Sequence, residues 1–349
     1  MIKTNTLAKD YQERSRKRLT KLTVGLLICS VGLIADILIG PSWLTIQETF
    51  TALFKPEEVE TAVRVIVWTF RFPATLMALG VGAALGIAGA VMQTILDNPL
   101  ASPYTLGISA GAGFGAALAI VFGSMVTTAF GPYLVPTCAF LFAMLTSFVI
   151  YLLGKLKGLS PATMVLSGIG LSFLFQALQS LLQYISTPEV LQNIVFWLFG
   201  SLTKSNWFTV TLIYIVLLVV IPAIMADSWR LTALKLGDEK ARGLGINVER
   251  LRVKMFILVS ILTSAAVAFV GIIGFIGLVG PHVARMLVGE DQRFFVPLSA
   301  VFGAALLSFA SIGSKVVSPG AILPIGIVTA LIGVPFYFSL ILRGKRGWL

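Results

Sequence analysis

Residues 72–96 read FPATLMALGVGAALGIAGAVMQTIL and hold no charged side chain. At about 1.5 Å of rise per residue, such a run is longer than a hydrocarbon core of about 30 Å is thick. Its apolar residues do not alternate with polar ones, which excludes a barrel strand and leaves a helix. Gly82 and Gly86 stand four apart on one face, the spacing that lets helix backbones approach closely where no hydrophobic force joins them.

Similar stretches recur along the chain, at roughly 22–40, 105–123, 132–153, 161–185, 207–226, 253–273, 279–289, 295–314 and 323–342. With 72–96 they predict about ten spans, of which 279–289 is too short to cross unaided. Of the 349 residues, 57% are hydrophobic, more than a soluble domain can hide. The fold class is therefore an all-α integral membrane protein. Cys29 and Cys138 lie inside apolar runs and read as small hydrophobes, not a disulfide. The first run follows Lys17, Arg18 and Lys21 without a small-residue cleavage site and reads as a retained span.

An even number of spans puts both termini on one side. If that side is the cytoplasm, all 26 Lys and Arg fall in cytoplasmic segments except Lys55, Arg64, Arg71, Lys204 and Lys315. The net charge of +11 is thus explained by topology and implies no nucleic-acid partner. The expected organisation is a cytoplasmic tail over 1–21 and a single transmembrane domain over 22–345. A weak similarity between 82–119 and 264–305 (small-residue helix, Pro break, small-residue helix) suggests an inverted repeat.

Chemistry-bearing constellations are missing from the sequence. There is one histidine, His282, no metal-ligand motif and no GxxxxGK[ST] phosphate loop. Asp36, Asp97, His282, Arg285 and Lys315 all sit near span ends. A carrier coupled to protons or sodium keeps acids near the midplane, so a secondary transporter is the weaker reading, and an intramembrane enzyme weaker still.

One segment departs from this apolar background. LGDEKARGLGINVERLR (236–252), within a longer connection of about 228–252, is dense in charge and must leave the bilayer. Gly237 followed by Asp238 and Glu239 predicts a helix start, and Gly243 or Gly245 its left-handed end. Asn247 predicts the cap of a second helix that runs into the seventh span. Leu236, Ala241, Leu244 and Ile246 are expected to form an apolar ridge with a charged rim, the shape of a docking knob. An ordinary positive-inside loop is the plainer alternative.

These pieces resemble the FecCD-type permeases, the membrane subunits of type II ABC importers for ferric siderophores, haem and cobalamin. The resemblance runs through RFPATLMALGVGAALGIAGAVMQ (71–93), NPLASPYTLGISAGAG (98–113), FWLFGSL (196–202) and LGDEKARGLG (236–245). It continues in GFIGLVGPHVAR (274–285), GEDQRFFVPLSAVFGA (289–304) and LPIGIVTALIGVPFYF (323–338).

The resemblance implies a second permease subunit, two separate ATPase subunits that use ATP and Mg, and an extracytoplasmic solute-binding protein. It implies no cofactor on this chain, and a place in the bacterial cytoplasmic membrane. It assigns coupling to Leu236, Gly237, Ala241, Arg242, Leu244 and Gly245, and a cytoplasmic gate to Ser160, Pro161, Ala162 and Thr163. The path is expected along the third, fifth and tenth spans. Docking of the binding protein falls to Arg71, Lys315 and Arg64, and Asn98 and Pro99 match a structural Asn-Pro turn. Departures from the family pattern are Ala74, Asp97, Gln292 within DQR, Ser311, Lys315 and Ile322. In GIIGFIGLVGPHVAR (271–285), glycines every third residue before Pro281 predict a broken stretch, with Gly274, Gly277, Gly280 and Pro281 as hinge or as static packing kink.

Overall fold

The computed structural model describes residues 2–42, 44–123, 131–317 and 321–343. Lys345 and Arg346, part of the charge count, lie outside the described residues. Among these residues there are helices and no strands. α1 (Ile2–Leu38) is one helix, so the described part of the tail before residue 22 continues the first span instead of standing apart from it. A short α2 (Ile46–Phe54) and α3 (Thr61–Val65) lead through a π-helical turn, Ile66–Arg71, into α4 (Phe72–Ile95). The wide turn ends two residues before Pro73, which has no N–H and whose ring would crowd the carbonyl four residues back, at Thr69 inside the turn.

The chain continues through α5 (Ile108–Phe122), α6 (Gly131–Lys155), α7 (Pro161–Ile185), α8 (Pro188–Leu198) and α9 (Trp207–Met225). Then come α10 (Ser228–Leu234), α11 (Asp238–Gly243), α12 (Val248–Val270), α13 (Ile276–Val288), α14 (Gln292–Val316) and α15 (Ile325–Arg343). Seven helical stretches are long and apolar enough to cross a membrane, and α5, α13 and most of α15 are shorter apolar helices. Together they coincide with the ten segments read from the sequence, including the short eighth.

α4 lies at the centre, packed on α14, α12, α13 and α9. Its glycines set the distances. A Cβ on Gly82 would overlap the backbone of Gly303, and one on Gly303 would overlap Gly82, so α4 and α14 meet backbone to backbone. The same holds for Gly89 against the carbonyl of Gly277 on α13. Pro281 has no N–H to bond that carbonyl four residues back, which leaves it free to lie against α4.

The break predicted after the seventh span is present but narrower than expected. It covers residues 271–275, between α12 and α13, and Gly271 there has φ +77°. Of the four proposed hinge residues, only Gly274 lies in it. Gly277, Gly280 and Pro281 are inside α13, where a Cβ on Gly280 would crowd Gly303 and one on Gly277 the Leu85 carbonyl.

The bundle has two distinct ends. At one, Arg18 pairs with Asp291 at 2.7 Å and Lys235 with Asp97 at 2.5 Å, which gathers the N-terminal basic residues and the 227–254 segment. At the other, Trp68, Phe72 and Trp207 form an aromatic cluster, and Trp207 Nε1 donates to the Trp68 carbonyl.

Candidate functional site

The segment that stands out from the bundle is α10–α11 and the start of α12. Gly237, with φ +99° and ψ 154°, lets the chain turn from α10 into α11. α11 ends in a Schellman arrangement. The N–H of Ile246 donates to the Ala241 carbonyl at 3.1 Å, that of Gly245 donates to the Arg242 carbonyl at 2.9 Å, and Gly245 is left-handed at φ +80°. Gly245, not Gly243, is therefore the terminator. Asn247 then caps α12, its Oδ1 accepting from the N–H of Arg250 at 2.9 Å.

This closure decides which side chains face out. In a Schellman motif the residues in the places of Ala241 and Ile246 pack on each other, and here both join the main core. Ala241 is fully buried, while Leu236 and Leu244 are 57% and 63% exposed. The expected ridge is thus corrected. Leu236 and Leu244 form the outward apolar surface, Lys240 and Arg242 rim it, and Ala241 and Ile246 hold it from below.

The proposed gate residues form the start of α7. Ser160 Oγ accepts from the Thr163 N–H at 3.3 Å and lies 2.8 Å from its Oγ1, with Pro161 at the first helical position and Ala162 exposed. Leu159, just before them, is left-handed at φ +56°. Asn98 closes the end of α4, its Oδ1 accepting from the Leu100 N–H at 2.9 Å, and Pro99 stands exposed in that turn.

Two of the three docking residues are elsewhere than expected. Arg71 turns inward and donates to the carbonyls of Ile37, Leu38 and Ser42 at 3.2, 2.9 and 2.6 Å, which caps the C-terminus of α1. Lys315 is buried against Asp36. Only Arg64 is exposed. Of the three spans expected along a path, α7 and α15 keep long exposed faces, while α5 is largely enclosed by α6, α7 and α8.

Arg252, by sequence one more basic residue of the cytoplasmic segment, is internal and shared. Its Nε donates to the Ile95 carbonyl at 2.8 Å, Nη1 to the Leu159 carbonyl at 3.2 Å, and Nη2 to Asp238 at 3.0 and 3.2 Å. The signal was available, since Arg252 lies on the inward stripe of Val248, Leu251, Met255 and Val259. Asp227, between α9 and α10, is also buried and binds Arg230 at 2.6 Å and Lys254 at 2.5 Å. Burial alone would raise its carboxyl, but hydrogen bonds and charge from Lys254 and Arg230 hold it below the ordinary carboxylate range.

Residues 27–343 match the FecCD transport family. The chain belongs to that family. It is 39% identical to a putative ABC transporter permease protein of Methanocaldococcus jannaschii, over 97% of this chain and 98% of the relative. It is 33% identical to a Fe(3+)-citrate import system permease protein of Bacillus subtilis, over 96% of this chain and 98% of the relative. A solved structure titled an inward-facing conformation of a putative metal-chelate type ABC transporter superposes with a TM-score of 0.80 at 34% identity, covering 94% of this chain and all of that one. Further relatives are named for hydroxamate, hemin, cobalamin and molybdate import. The chain is a multi-pass membrane permease of the ABC class, and its relatives are named as transport subunits, not enzymes.

Proposed function

We propose that this permease subunit imports an iron chelate across a bacterial cytoplasmic membrane, with a ferric siderophore first and haem or cobalamin next. The observation that carries this is the near full-length likeness to a permease named for Fe(3+)-citrate import. Two permease subunits, identical or related, enclose the path, with both termini in the cytoplasm. Two ATPase subunits engage Leu236 and Leu244 from the cytoplasm, and a solute-binding protein delivers the chelate on the other side. The missing phosphate loop and the lack of midplane acids support an external energy source over a secondary carrier.

A relative named for molybdate import is 38% identical over 83% of this chain, which adds an oxyanion as the reading outside the iron chelates and their kin. The test is reconstitution in liposomes with the ATPase and the binding protein. ATP-dependent uptake of a radiolabelled ferric chelate, and not of molybdate, is the expected result. Uptake of molybdate alone would replace the cargo, and uptake driven by a proton gradient without the ATPase would overturn the class.

A further inference from the structure

We propose that Arg252 is a positioning residue that links the α11 knob to the α6–α7 connection, and so carries the state of the ATPase contact to the gate. This rests on the reading of Leu236 and Leu244 as the ATPase contact.

Three segments far apart in sequence meet at this one guanidinium. Asp238 is the first residue of α11, on the knob itself. Leu159 is the last residue before the Ser160 cap that starts α7. Ile95 is the last residue of α4, whose final carbonyls have no partner within the helix. The Arg252 side chain is 4% exposed, so the guanidinium is held inside the protein, while Asp238, at 40% exposed, reaches the surface of the knob. A planar group with five fixed donors cannot follow one acceptor without turning away from the others. Displacing α11 therefore draws Arg252 off the Leu159 carbonyl, or draws Leu159 along with it.

The acceptor at Leu159 suits such a role. Gly158 and Leu159 are both left-handed, at φ +67° and +56°, and a leucine holds that conformation only where its surroundings impose it. The Leu159 N–H donates to the Gly154 carbonyl at 2.8 Å, and Arg252 takes the carbonyl on the other side. Loss of the Arg252 bond removes one of the contacts that keep the chain bent at the residue preceding the gate. A second tie, Lys235 to Asp97 at 2.5 Å, holds the α10 end of the segment to the turn after α4. Of these two ties, only Arg252 also reaches the residue before α7.

The test uses the complete transporter in liposomes, with uptake of ferric citrate and ATP hydrolysis measured together. Asp238→Asn, Arg252→Lys and Arg252→Gln are compared at equal incorporation. Chelate moved per ATP hydrolysed is expected to fall at least about fivefold in Asp238→Asn and Arg252→Gln, and less in Arg252→Lys. The double variant Asp238→Asn with Arg252→Gln is expected to be no worse than Arg252→Gln alone. A purely structural arginine would lower uptake and hydrolysis in proportion, and an unchanged ratio in the variants overturns the proposal. If Arg252→Gln does not fold, the isosteric Asp238→Asn decides by the same ratio. If the wild-type transporter with its ATPase moves neither ferric citrate nor molybdate on ATP, the proposed function fails first, which separates the two outcomes.

Discussion

Lys315 Nζ lies 2.7 Å from Asp36 Oδ1 and 2.8 Å from the Asp36 carbonyl, with both side chains inside the protein and α1 tied by them to α14. A lysine that the family resemblance places on a docking surface is thereby a structural cation. Its ammonium and the guanidinium of Arg71 together satisfy the last carbonyls of α1, which would otherwise end unpartnered.

Replacing Lys315 with methionine leaves the buried Asp36 carboxyl without its partner. Removal of one partner of a buried pair costs about 3–5 kcal/mol, whereas replacing both by apolar residues is often near neutral. Lys315→Met is therefore expected to lower the thermal midpoint of the purified permease sharply, and Asp36→Leu with Lys315→Met to recover most of the loss. Binding-protein affinity, measured on the folded fraction, is expected to keep its salt dependence. A Lys315→Met protein of normal stability that has lost that salt dependence would restore the docking role.

The spans were legible because length and apolarity are summed over twenty or so residues, and no single contact can reverse the sum. The close contacts of α4 were legible for a related reason, since Gly82 and Gly86 have no packing purpose except to admit another backbone. Arg71 and Lys315 were not legible. A long cationic side chain at a span end can reach water or fold back on a helix terminus, and the choice depends on where α1 stops. Ala241 was misread because a helix of six residues has no stripe long enough to define a face. Its direction follows from the hydrogen bond of Ile246 to its carbonyl, and that signal was present in Gly245 and the apolar residues four before and one after it.

Asp227 predicts a pH dependence at the α9–α10 junction. Its folded carboxyl titrates below its unfolded value, so the stabilisation is complete above about pH 4 and is lost as pH falls through the folded value. Asp227→Asn removes that term and leaves Lys254 without its partner. The variant is expected to melt below wild type by a constant margin between pH 5 and 8, and the margin is expected to narrow below about pH 4. Thermal melting in detergent across that range checks it. A margin that grows on acidification would mean that another group governs the junction.

The two faces of α11 give the clearest separation between folding and coupling. Ala241 is enclosed by the permease, so Ala241→Trp must push the short helix off the core, at a cost of about 1–3 kcal/mol or more. Leu244 is 63% exposed, and Leu244→Asp removes apolar surface that no described residue covers. The first variant is expected to melt at a lower temperature and to lose the ATPase only as a consequence. The second is expected to melt as wild type yet fail to co-purify with the ATPase, because a charge placed in that contact is left buried without a partner. Lys240→Gln, on the rim, is expected to change association little. Thermal midpoint and ATPase recovery, measured on the same three preparations, decide the matter. If Leu244→Asp keeps its full complement of ATPase, the exposed pair of leucines is not the contact, and the segment is only a charged loop.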